Sequence, residues 1–518
     1  MKILACLILC VLTIFTSCKR TNNTEPSNEP IVTKDSTSNS GIVIVGISDD
    51  SLAFKNIHIA DYSQFSGSYY ELIQDRSTSK DTTLLKLKPL DTTQILEFWS
   101  FGAKTNYNTR FIASPGDSII IKIKDEAIKF LGDNSPENNF FIELDPDNND
   151  YANTTYTNDL DLYKTQVKSM YLKRKAFFDQ YVEEHNVSEG FKNLVSAELK
   201  QEYLYNLIAP RSKNIDGING NANTNLILAD LIAQDYDIEK NGIFDMASYL
   251  DNIKIEEFQN TNLTANDYFK RNLTQFIRQY FVKSDYLDYT KEKYIAEKEF
   301  IQSNLPKEIQ NIALTQILSD YHQKGFGNGR IDKDFLKAEI TSLKTKELKK
   351  SYRTALEEIE SDLKQINSQI PTYILEQKLL NTAGDTISLG ELVQSKQHLK
   401  IIDFWASWCT PCIKEIKETK SFKTRLKENA ELEWIYLSID ESKNNWLDQV
   451  NRIKEYTSLG NHFMMTPKSN TALSSFFKIN YIPRYTLVGT STNILLSNTP
   501  RPSDEFVFEQ IITSNEAN

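Results

Sequence analysis

The spacing of apolar and polar residues divides the chain into five stretches of different period. Lys2 is followed by an apolar run, Ile3 to Phe15, interrupted only by Thr13. That run is too short to span a bilayer comfortably and reads as the apolar core of a secretory signal peptide. Lys19 to Ser40 is rich in Asn, Thr, Ser, Glu and Pro, with almost nothing apolar, the composition of a disordered tether. A flexible coil of about 22 residues separates its ends by roughly 25 Å. From Gly41 to about Leu131 the runs are short and alternating or β-branched: Ile42 to Ile47, Ile57 to Ala60, Leu84 to Leu87, Arg110 to Ala113 and Ser118 to Ile123. Turn signals such as Ser114-Pro115-Gly116-Asp117 separate them, which predicts antiparallel strands in a small sandwich.

Near Pro136 the period becomes helical and stays so to Ile370. Helices are expected over Leu160 to His185, Glu189 to Ile208, Ala265 to Val282, Lys291 to Leu305, Lys307 to Gln323, Lys333 to Leu343 and Leu348 to Ile366. Pro210, Pro306 and the glycines of Lys324 to Gly329 supply stops. Aromatic stripes such as Phe269, Phe276, Tyr280 at helical spacing are core, and runs such as Lys344 to Lys350 are a solvated face. No catalytic constellation stands out here, which leaves a spacer or partner-binding role.

The last stretch alternates strand and helix. Ile401, Ile402, Phe404 and Trp405 form a bulky, bounded run, as in a central strand covered on both faces. Cys409 and Cys412 follow, and Ile413, Ile416 and Phe422 continue at helical spacing. Cys409 is therefore expected at a helix N-terminus, where free N–H groups and the helix dipole stabilise a thiolate. Lowering a thiol pKa from about 8.5 to about 7 is worth roughly 2 kcal/mol. Pro411 fits because the first helical turn needs no N–H at that place. Further elements are expected at Thr372 to Leu380, Ile387 to Leu392, Trp434 to Ile439, a helix with Trp446, Val450 and Ile453, a short helix Leu473 to Phe477, Ile494 to Leu496, and a final helix capped by Ser503.

Trp408-Cys409-Thr410-Pro411-Cys412, Asp403 six residues before Cys409, and Ile482-Pro483 about seventy residues on resemble the thioredoxin superfamily. The resemblance implies an α/β thioredoxin fold with a dithiol centre, Asp403 as a buried acid that moves the proton of Cys412, and Pro483 in a cis-proline loop facing the disulfide. The preceding hairpin and short helix resemble membrane-anchored disulfide reductases of the TlpA and ResA type. Phe15-Thr16-Ser17-Cys18 resembles a bacterial lipobox, and Phe111 to Gly132 resembles the N-terminal domain of lipid-anchored thioredoxin-like proteins. The loop differs from that of thioredoxins only at Thr410, and two departures outside it matter. Lys417 replaces a helix-kinking proline, so a straighter helix is expected; Tyr436 stands where a lysine partners the buried acid.

Charge and cysteine usage narrow the function. A formal net charge of -11 argues against nucleic-acid binding. Cys6, Cys10 and Cys18 belong to the N-terminal segment, so Cys409 and Cys412 hold all the thiol chemistry of the folded body. No metal or cofactor is expected: zinc needs about four ligands, and Ile413 stands where a c-type haem motif needs histidine. His58, His185, His322, His398 and His462 are scattered and read as capping or solvated residues.

The expected architecture is a signal peptide with lipobox (1–18), a tether (19–40), an antiparallel β-sandwich-like domain (41–135), a central all-α region (136–367) and a thioredoxin-like domain (368–518). The expected function is an exported, membrane-tethered disulfide reductase: Cys409 attacks, Cys412 resolves, Asp403 accepts the proton. Trp408, Ile482 and Pro483 would bind an extended client segment. By resemblance its clients are disulfide-containing envelope proteins, apocytochromes c among them, its electrons come from a membrane thiol relay, and acylated Cys18 holds it in the envelope of a Gram-negative bacterium, facing the periplasm. A thioredoxin-like loop poised near about -270 mV favours reduction over oxidation. The alternatives are a lipoprotein whose first two domains bind a partner or ligand, and a thioredoxin-like peroxidase; against the latter, Ile402 and Ala406 occupy the positions where peroxidases need proline and threonine or serine.

Overall fold

The computed structural model describes residues 41–516 apart from 66–69, 80, 81, 104, 146–150, 152, 153, 214–222, 237, 238, 240, 241, 284, 285, 287, 326–332, 395–398, 430, 431, 458, 459 and 480. The signal segment, Cys18 and the tether lie outside the described residues. Among the described residues no helix is long and apolar enough to cross a membrane.

The N-terminal region is two sheets over one core. One has the strand order Ile73–Ser79, Thr82–Leu87, Val43–Ser48, Ser118–Lys124, Ala127–Leu131; the other runs Tyr70–Glu71, Ile57–Asp61, Gln94–Phe101, Asn106–Ala113. Alternation builds the shared core: Ile44, Leu85, Ile119 and Ile121 from the first sheet meet Ile59, Leu96, Phe98 and Phe111 from the second. The expected all-antiparallel sandwich is corrected at one place. Val43–Ser48 pairs with Ser118–Lys124 in parallel, so that sheet is mixed. Parallel neighbours need a long crossover, and the intervening chain, which holds the whole second sheet and two strands of the first, supplies it.

Helices follow, several with the caps their sequences advertise. Asp159, Ser188 and Thr290 accept hydrogen bonds from the backbone N–H groups of Leu162, Phe191 and Lys293 at the starts of Leu160–Glu184, Glu189–Ile208 and Lys291–Asn304. The expected all-α character is also corrected, because Arg211–Lys213 and Asn223–Asn225 form a two-stranded ladder. A buried ionic network joins the sheets to the helices. Arg174 reaches Asp145 and Glu202 at 3.1 Å each, and Arg110 on Asn106–Ala113 reaches Glu198 at 3.1 Å. Removing one member of such a network strands its buried partners. Arg174→Ala is therefore expected to cost about 3–5 kcal/mol, read as a lower denaturant midpoint.

The C-terminal sheet has the order Thr386–Ser388, Lys378–Asn381, Gly460–Met465, Leu432–Ser438, Leu399–Trp405, Arg484–Val488, Ile494–Leu496. Leu399–Trp405 is buried along its whole length, with Leu432–Ser438 parallel on one side and Arg484–Val488 antiparallel on the other. Its period of two sorts side chains onto two cores: Leu399, Ile401 and Trp405 pack with the helix Thr410–Glu418, whereas Ile402 and Phe404 pack with Leu379, Ile435 and Phe477. Asp403 shares the first face.

Candidate active site

Cys409 and Cys412 form a disulfide. Cys409 is the N-cap of Thr410–Glu418, and its sulfur accepts the backbone N–H of Cys412 at 3.2 Å. The turn before it is fixed from below: Asp440 accepts the backbone N–H of Ser407 at 2.8 Å and its hydroxyl at 2.6 Å, and is itself held by Ser438. Nothing in the local pattern singles out Asp440, which follows the strand Leu432–Ser438. Trp408, between that turn and Cys409, is 67% exposed, while both cysteines are buried.

Ile482-Pro483 is a cis bond, as the resemblance implied. Pro483 directly precedes Arg484, which pairs with Phe404, so it lies at the sheet end from which the chain departs toward Cys409. Ile482 is half-buried and Tyr481, next to it, is exposed.

Asp403 is fully buried between Tyr436 and Tyr485, its neighbours on the two flanking strands. Neither carboxylate oxygen has a hydrogen-bond partner among the described residues. Burial pushes its pKa up to about 7, opposed by the positive charge of Lys423 and reinforced by Glu415. Glu415 lies three residues after Cys412, so both project from one side of the helix, and both are buried. Asp403 thus sits beneath the helix face that bears Cys412.

The lysine that sequence comparison expected at Tyr436 is present, from another element. Lys423, on Lys420–Asn429, is fully buried, 3.5 Å from the Tyr436 hydroxyl and 4.4 Å above the Trp434 ring. Burial lowers its pKa while the charges of Asp403 and Glu415 raise it. The expectation of a straighter helix is likewise corrected. Helical structure stops at Thr419 and restarts at Lys420. Thr419 returns its hydroxyl to the Glu415 carbonyl at 2.6 Å, a bond that bends helices without any proline. The Ser503 cap is not found either: the last helix begins at Glu505, and the Ser503 N–H donates instead to Glu415 at 2.7 Å.

A buried dithiol loop at a helix start, a central strand carrying an acid beneath it and a proline loop at the same sheet end define a thioredoxin-like thiol-disulfide oxidoreductase fold. Residues 398–494 match the thioredoxin-like family model Thioredoxin_8. A search of curated proteins found no match. Similar solved structures include the thioredoxin domain of a thiol-disulfide oxidoreductase from Bacteroides vulgatus, 18% identical, covering 28% of this chain and 97% of that one with a TM-score of 0.24. A thiol:disulfide interchange protein from a Bacteroides species is 18% identical over 29% of this chain and 90% of its own, TM-score 0.24. A thioredoxin-like protein from Bacteroides caccae is 12% identical over 46% and 93%, TM-score 0.27.

Proposed function

We propose that the chain is an exported, membrane-tethered protein-disulfide reductase of the TlpA and ResA type. The observation that carries this reading is the Cys409–Cys412 pair at a helix N-terminus above a buried acid whose pKa is about 7. In the reduced protein the Cys409 thiolate attacks a client disulfide and expels one client thiolate, forming a mixed disulfide. Cys412 loses its proton to Asp403, attacks the Cys409 sulfur and releases the second client thiolate. Two electrons pass to the client, and a membrane thiol donor returns the pair to the dithiol. Trp408, Ile482 and Pro483 line the approach for an extended segment of an envelope protein, apocytochromes c included.

Trapping tests the reading. Cys412→Ala is expected to accumulate mixed disulfides with envelope proteins that dissolve on reduction; a variant that captures nothing refutes it. The membrane tether is proposed through acylated Cys18, with the domains facing the periplasm and bounded near residues 41, 136 and 368. Cys18→Ala is expected to move the protein to the soluble exported fraction, and an unchanged membrane fraction would remove the anchor from the proposal.

One observation favours a second reading, ligand binding by the first two regions. A cavity of about 980 Å³ lies between the sheets and the helices, lined by Arg110, Arg174, Glu198, Glu202, Asn266 and Tyr268. Arg110 and Arg174 are already paired with Glu198 and Glu202, and the many polar groups around them suit a polar ligand. Under this reading the trapping variant captures nothing, and ligand binding survives the loss of Cys409.

A further inference from the structure

We propose that the helical region sets how the redox site holds its client, through Asp362, whose carboxylate grips both ends of the loop Lys478–Arg484 that carries Ile482 and Pro483. This rests on the reductase reading above.

Asp362 lies on the helix Lys350–Gln365 and is 7% exposed. Its Oδ1 is 2.9 Å from Lys478 Nζ and 3.9 Å from an Arg484 guanidinium nitrogen; its Oδ2 is 3.1 Å from His322 Nε2. Lys478 closes the helix Pro467–Phe476 in the left-handed region, at φ 51°, which residues with a Cβ disfavour. Arg484 is buried and also donates to the Ser497 carbonyl at 3.0 Å. One carboxylate from outside the thioredoxin-like sheet thus meets the first and last residues of the client-facing loop. Between them the loop is exposed at Tyr481.

The helix that bears Asp362 has little freedom to move. Gln365 donates to the Phe476 carbonyl at 2.9 Å. Beyond it the connecting segment adds onto Ile494–Leu496, with Asn367 N–H to Ile494 O at 2.7 Å and Ile494 N–H to Ser368 O at 2.9 Å. Buried ion pairs add little net stability compared with apolar packing, and their best-attested use is to fix one geometry. A cluster of Asp362, His322, Lys478 and Arg484 is costly as a mere staple and well suited to holding a loop in register. Asp362 touches neither cysteine, so it is a positioning residue. Its loss should weaken engagement of large clients and leave the dithiol chemistry intact.

The test uses the full chain with Asp362→Asn, compared with Gln365→Ala, which breaks a neighbouring contact of the same helix. Asp362→Asn is expected to raise KM for insulin reduction about five- to tenfold, with kcat and reduction of the small disulfide dithiobis(nitrobenzoate) within about twofold of the parent. Amide hydrogen exchange at Tyr481 and Ile482 should quicken about tenfold while the helix Leu160–Glu184, which makes no contact with Asp362, is unchanged. Gln365→Ala should alter neither. Lys478→Met, which frees one end of the loop, should reproduce the exchange effect should Asp362→Asn fold poorly. Unchanged insulin KM and loop exchange would overturn the proposal. So would a parallel fall in both reactions, since that marks a general structural role. A parent protein inactive on both disulfides would sink the reductase reading, and loop exchange would still decide whether Asp362 holds the loop.

Discussion

Cys409→Ser is expected to lower disulfide reduction by at least about 10³-fold, whereas Cys412→Ser performs one attack and then stalls. The asymmetry follows from position on the helix. Cys409 is the N-cap, where the free N–H of Cys412 already points at its sulfur at 3.2 Å. A thiolate there gains a charge-assisted hydrogen bond and the positive end of the helix dipole. Cys412 sits one turn inside, with none of those groups aimed at it. In the reduced protein Cys409 should therefore be alkylated first, and at a lower pH. The Cys412→Ser protein should release about one equivalent of client thiol in a single burst. Equal alkylation rates for the two thiols, or continued turnover by Cys412→Ser, would contradict this order.

What the sequence made legible, and what it hid, has a physical pattern. Leu399–Trp405 could be read because every residue in it is buried and bulky. The long helices could be read because their caps and apolar stripes agree, as at Asp159 and Ser188. Ile73–Ser79 went unread because it is an edge strand exposed nearly throughout, and polar Gln, Asp, Arg, Ser and Thr leave no alternation to detect. Gln94–Phe101 hid for a different reason. Its inward positions are Gln94, Leu96, Phe98 and Ser100 while Ile95 and Trp99 face outward, so polarity does not follow the period of two. The parallel pairing of Val43–Ser48 with Ser118–Lys124 is a long-range choice that no local pattern encodes.

At the site, the two cysteines, Asp403 and Pro483 were legible through their resemblance to the thioredoxin pattern, whereas Lys423 was not. A lysine in a helix as polar as Lys420–Asn429 reads as solvated. Its burial depends on the break at Thr419 and on the rings of Trp434 and Tyr436, which lie on a different element. One signal was available. Lys423 falls four residues after Thr419 and three before Leu426, on the stripe that turns inward.

Asp403 and Lys423 together are expected to set the pH dependence of the resolving step. As a proton acceptor Asp403 must be ionised, and burial holds its pKa at about 7. The resolving rate should therefore climb as pH rises through about 7 and then level. Asp403→Asn removes the acceptor and should slow that step about 10²-fold at neutral pH while sparing the attack by Cys409. Lys423→Met takes away the positive charge that favours the carboxylate. The Asp403 pKa then rises, and the climb should move to higher pH by about one unit, equivalent to ~1.4 kcal/mol. The same group shapes stability. An acid whose native pKa lies above its unfolded value, near about 4, binds more protons in the native state between those limits. Its contribution to stability is then complete below about pH 4 and lost as pH rises to about 7, so Asp403→Asn should flatten that decline. Stopped-flow fluorescence of Trp408, exposed beside Cys409, can follow the disulfide across pH 6 to 9 in all three proteins. Coincident profiles for all three would take Asp403 out of the mechanism, and a Lys423→Met profile that is not displaced from the parent's to higher pH would mean that the lysine's charge does not favour the carboxylate.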